Sequence, residues 1–130
     1  MVDVDDLVGV PFKNGGRNMA EGFDCWGLVM EVFKRHGQTL PDFTVDAFAC
    51  KAIDALAGEE VAERHWEEVT GSIEDETPLV VLMRIHPEYI THVGVYLGDN
   101  LVLHTMEHTG AVLMQRDMLR NRIVGYYRPC

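Results

Sequence analysis

The hydrophobic and polar positions divide the chain into two textures. In the first half, Leu28, Val29, Val32 and Phe33 fall at i, i+1, i+4 and i+5, the spacing of one helix face. Asp24 stands where an N-cap belongs and Gly37 follows His36 as a stop, so the pattern predicts a buried central helix from Cys25 to His36. A short helix is expected from Asp3 to Val10, ended by Pro11, and another from Val45 to Leu56 with Gly58 as its stop. The loop between Phe12 and Phe23 is punctuated by glycines, and the acidic stretch Glu59 to Glu68 fits a helix or irregular chain.

From Leu79 the texture changes to short β-rich runs: Leu79 to Ile85, Thr91 to Leu97, Leu101 to Met106, Ala111 to Met114, and Ile123 to Tyr127. A helical half followed by an antiparallel meander is an α+β arrangement, and no repeat or linker divides residues 1–130 into more than one domain. Gly98-Asp99-Asn100 is the clearest hairpin signal. If these three residues form the loop, Leu97 pairs with Leu101 and Gly94 with His104, so that His92, Gly94, Tyr96, Val102 and His104 share a face. A two-residue loop would put the histidines on opposite faces.

Two groups of residues carry candidate chemistry. Cys25 opens a helix directly after a loop, where free backbone N–H groups and the helix dipole favour a thiolate, so a nucleophile there is expected to be pre-activated. The bland alternative is a small core residue. His92 and His104, as diagonal neighbours across the hairpin with Gly94 clearing the space between them, suit a general base steadied by a second polar group. A lone strand histidine is more often structural; two on one face beside a helix-start cysteine shift that balance. The four-residue spacing of His104 and His108, and His86 six before His92, allow a zinc site with Cys25, but there is no CxxC or HExxH, so no metal is expected. Cys50 reads as helix packing, Cys130 ends the chain, and His36 and His65 read as helix-end and surface residues.

Composition narrows the partners. With 21 acidic and 11 basic side chains in 130 residues, the net charge is −10, and no Lys/Arg cluster exceeds a dipeptide. This excludes a phosphate-binding surface, so neither nucleic acid nor membrane insertion is expected. The acidic N-terminus is unlike a secretory signal, and three cysteines, an odd number, point to a reduced compartment with at least one free thiol.

Together FDCWGLV, HVGVYLGDN and the downstream LHT resemble the NlpC-type papain-like cysteine peptidases. GVPFKNGG before the cysteine and RIVGYYRP at the end extend the resemblance over nearly the whole chain. DCWG in place of the commoner DCSG, with that ending, looks most like the branch found in tail proteins of tailed bacteriophages and prophages. The resemblance implies a papain-like fold, with the catalytic Cys at the start of a central helix packed on an antiparallel β-sheet. It implies Cys25 as nucleophile, His92 as general base and acid, His104 as the orienting third member, and no cofactor.

The implied substrate is a peptidoglycan stem peptide, cut between D-glutamate and the diamino acid through an acyl-enzyme, with the Cys25 N–H helping to hold the oxyanion. Asp24 matches a residue that lines the substrate cleft in the family, where it could meet a cationic amine; its plain alternative is a helix cap. The tail branch implies other tail proteins as partners, synthesis in the host cytoplasm without a signal segment, and action in the periplasm or cell wall. Three departures stand out. Phe12 replaces a tyrosine whose hydroxyl serves the oxyanion site, Thr77-Pro78-Leu79 replaces the usual Pro-Gly-Asp, and Trp26 beside the nucleophile narrows the cleft. The competing readings are a tail plug with a slow or vestigial triad, and a Cys-His amidase or acyltransferase acting on another small substrate.

Overall fold

A computed structural model describes residues 3–43, 57–60, 65–84 and 90–129. The central helix α1 (Cys25–Arg35) forms one residue shorter than the pattern predicts. Asp24 caps it by accepting the Gly27 N–H at 2.7 Å, and Lys34 and Arg35 in the last turn suit the negative end of the dipole. Gly37, at φ +84°, closes it in the left-handed conformation that glycine takes without strain.

Six strands make one antiparallel sheet in the order β3-β8-β4-β5-β6-β7. They are β3 (Trp66–Glu68), β4 (Leu79–Met83), β5 (His92–Gly98), β6 (Leu101–Met106), β7 (Gly110–Gln115) and β8 (Ile123–Pro129). A two-stranded ribbon, β1 (Arg17–Asn18) with β2 (Gly22–Phe23), precedes the helix. Leu28, Val29, Val32 and Phe33 of α1 are buried in one cluster with Val80, Leu82, Val95 and Leu103 of the sheet. Each such side chain removed from water contributes roughly 1.5–3 kcal/mol. A second cluster, on the alternate strand positions, joins Leu79, Val81, Met83, Tyr96 and Val102 to Ile73 and Leu119.

The expected α+β arrangement, a central helix packed on an antiparallel sheet, forms, and four details differ. The first predicted helix is only a 3-10 turn at Asp5–Leu7, because Gly9 at φ +90° turns the chain before a second turn can form. Residues 57–60 are helical, so Gly58 lies inside a helix and does not end one; the predicted helix from Val45 to Leu56 falls outside the described residues. Within the acidic stretch, Trp66–Glu68 is a strand, held by pairing with β8 and by the ion pair of Glu67 with Arg128. The meander covers β4 to β7 only: β8 returns between β3 and β4.

The hairpin between β5 and β6 reaches the expected register by an unexpected route. Its loop is the two residues Asp99 and Asn100, both at positive φ (52° and 65°), and Gly98 pairs with Leu101. Leu97 is then an extra residue opposite the Tyr96–Val102 and Gly98–Leu101 steps, a β-bulge that restores the pairing of Val95 with Leu103. A two-residue loop thus keeps the histidines on one face, since the bulge reverses the alternation once more. Glu74 braces the turn, accepting from the Tyr96 hydroxyl and from the Asp99 N–H at 3.2 Å.

Candidate active site

The chain before α1 is folded tightly against the helix start. Oδ1 of Asp24 accepts the Gly27 N–H and an Arg17 Nη1 donor at 2.6 Å, while Oδ2 accepts the Gly15 N–H at 3.2 Å. Asp24 is only 3% exposed, and both carboxylate oxygens are engaged. Arg17 also reaches the Gly16 and Phe43 carbonyls and the Asp42 carboxylate. Gly27 is required here because a Cβ would meet the Gly16 carbonyl oxygen at 2.3 Å. Of the two roles weighed for Asp24, the cap is the one that this geometry displays.

Cys25, half-buried at the first position of α1, is a free thiol. The Val93 N–H reaches it from β5, one residue past His92, which brings the nucleophile candidate to the start of the histidine strand. Burial pushes the thiol up to about 11, and the Asp24 charge pushes the same way; the N–H groups of Val93, Trp26 and Cys25 pull it down without reversing the rise. The expected pre-activation is therefore corrected. The helix-start N–H groups act in the anticipated direction, but desolvation of the charged form outweighs them.

His92 and His104 are joined directly. His92 Nε2 lies 2.9 Å from His104 Nδ1, with the rings nearly edge-to-face at 73°. Gly94 makes room for them: a Cβ there would sit 3.1 Å from His104 Cβ and 3.0 Å from the Leu103 carbonyl oxygen. Both rings are buried. Burial first, and His104 second, push His92 down to about 3, and burial lowers His104 as well. At neutral pH the pair is uncharged, so one shared proton lies between the facing nitrogens.

Trp26 donates its Nε1–H to the Pro41 carbonyl at 3.0 Å, and its ring stands against Phe43 and Trp66. Phe12 is half-buried and forms a parallel bridge with Phe23 just before the cap. At the β3–β8 edge of the sheet, Glu67 and Glu76 pair with Arg128, and Glu68 accepts from the Tyr127 hydroxyl.

Three participants escaped the sequence reading. Arg17 neutralises the cap, Val93 offers its N–H, and Met114 places Sδ 3.1 Å from His104 Nε2. Only Met114 left a usable signal: strand alternation on β7 puts it two residues from Val112, the partner of His104.

Comparison with known proteins gives a consistent assignment. The NlpC/P60 family matches residues 9–128. A gamma-DL-glutamyl hydrolase of Bacillus subtilis is 26% identical over 129 residues, covering 97% of this chain and 28% of its own length. A Staphylococcus aureus protein described as similar to lipoprotein, of the NLP/P60 family, superposes with a TM-score of 0.60 at 21% identity, covering 95% of this chain and 37% of its own. The chain thus spans less than two fifths of the length of either relative.

Proposed function

Because the chain belongs to the NlpC/P60 family, we propose that it hydrolyses an amide bond of peptidoglycan stem peptides through an acyl-enzyme on Cys25. The observation that carries this reading is the buried 2.9 Å contact of His104 with His92, which stands on the strand whose Val93 N–H meets the Cys25 thiol. The family's members are cysteine peptidases acting on peptidoglycan, and the Bacillus relative is named a hydrolase. The bond between D-glutamate and the diamino acid is the target that the resemblance favours.

The chemistry starts from neutral groups. As Cys25 sulfur attacks the carbonyl carbon, its proton passes to His92 Nδ1, the nitrogen not used by His104. The oxyanion is met by the Cys25 N–H, and Phe12 has no hydroxyl to add a second donor. Collapse breaks the C–N bond, and the proton on His92 goes to the departing amine. Water then gives a proton to His92 and attacks the thioester, releasing the acid and returning the proton to sulfur.

The finer placement, a tail-tip component that works with other tail proteins during cell-wall penetration, rests on DCWG and the RIVGYYRP ending. A plug with a slow triad is the second reading, favoured by Phe12 and by a thiol held protonated. Digestion of purified peptidoglycan separates them. The intact chain should release stem fragments and Cys25→Ala should release none; no fragments from either protein would overturn the peptidase reading.

A further inference from the structure

The geometry points to Met114 as a positioning residue that fixes which ring nitrogens of His104 and His92 carry protons. This rests on the proposed role of His92 as base. Met114 lies on β7 opposite Val102, and its side chain reaches diagonally to His104, with Sδ 3.1 Å from Nε2. A thioether accepts a hydrogen bond but has no proton to give. The contact is therefore satisfied only when His104 carries its proton on Nε2.

The consequence passes along the pair. A neutral His104 protonated at Nε2 presents a lone pair at Nδ1, and the only ring nitrogen facing it among the described contacts is His92 Nε2 at 2.9 Å. His92 must then donate from Nε2, which leaves its Nδ1 lone pair free to take a proton from Cys25. The hydrogen bond at one imidazole nitrogen sets the state of the other, and here two such choices run in series from a residue with no acid–base chemistry of its own. Met114 is half-buried and packs on the second apolar cluster, which holds the sulfur in place.

The test reads ring protons directly. Long-range ¹H–¹⁵N spectra of the ¹⁵N-labelled chain at neutral pH should show both His92 and His104 protonated at Nε2. Met114→Leu, which keeps the apolar packing and removes the acceptor, should give His104 a mixture of tautomers and lower kcat/KM about three- to tenfold, the worth of one modest hydrogen bond. Met114→Gln, whose side-chain carbonyl can accept the same proton, should restore the single tautomer and most of the rate. A His104 protonated at Nδ1 in the unaltered chain, or Met114→Leu with unchanged tautomers, overturns the inference. The ring signals are read whether or not the chain cleaves anything, so a chain with the Nε2 pattern that releases no stem fragments supports the relay and refutes the proposed reaction.

Discussion

Around Cys25 the backbone is held by polar groups: Asp24 binds two N–H donors and Arg17, and Arg17 in turn binds two carbonyls and Asp42. Around His92 and His104 the restraint is apolar, with Met83, Tyr96 and Val102 buried on alternate strand positions and a glycine opening the space. The frame around Cys25 is mostly local, since Gly15, Arg17 and Gly27 lie within ten residues of Asp24. The histidine frame needs partners across three strands. A polar, local frame fails through an unpaired group, whereas an apolar, long-range frame fails through lost register or through charging of a buried ring.

The largest expected break is chemical. His92→Gln removes the proposed base and should lower kcat/KM on stem peptides by roughly 10²–10⁴ while urea unfolding stays cooperative; a loss under tenfold would remove His92 from the proposed reaction. Next comes acid stability. Both histidines titrate below their ordinary value in the fold, so the unfolded chain takes up protons first. Their stabilising contribution is full above the ordinary 6.5 and is lost as pH falls toward the folded His92 value of about 3. Urea midpoints followed from pH 7 to pH 4 should therefore fall more steeply in the intact chain than in His92→Gln, and parallel slopes would contradict the burial argument.

The polar frame is tested by Asp24→Ala, which removes the cap and one of the two carboxylates that Arg17 binds. The expected cost is about 2–3 kcal/mol in urea denaturation, and a cost within 0.5 kcal/mol, near the surface-substitution range of about ±0.5 kcal/mol, would show that the network is incidental. The smallest effect sharpens the contrast at Cys25 itself. Site-resolved alkylation of Cys25 should be slower at neutral pH than that of a free cysteine and should rise only above about pH 8.5; an inflection below that value would mean that the helix start dominates burial after all.

Several elements were legible because their causes are local. The Asp24 cap, the apolar face of α1 and the strand texture after Leu79 depend on residues a few positions apart. The facing of His92 and His104 was also legible, though by the wrong turn: the three-residue loop has the same parity as a two-residue turn plus the Leu97 bulge. Strand β3 was not legible, because Trp66–Glu68 extends only by pairing with a strand some sixty residues later.

The sequence by itself determined that Cys25 opens the central helix and that His92 and His104 share a sheet face, since the cap, the helix period and the strand alternation act over short distances. Tertiary structure decided their chemical state. Whether Cys25 is thiol or thiolate, and which nitrogen of His92 is free, depends on the burial that the sheet imposes and on Val93 and Met114 arriving from separate strands. Desolvation and hydrogen-bond partnership are properties of the assembled surroundings, so residue order alone does not specify them.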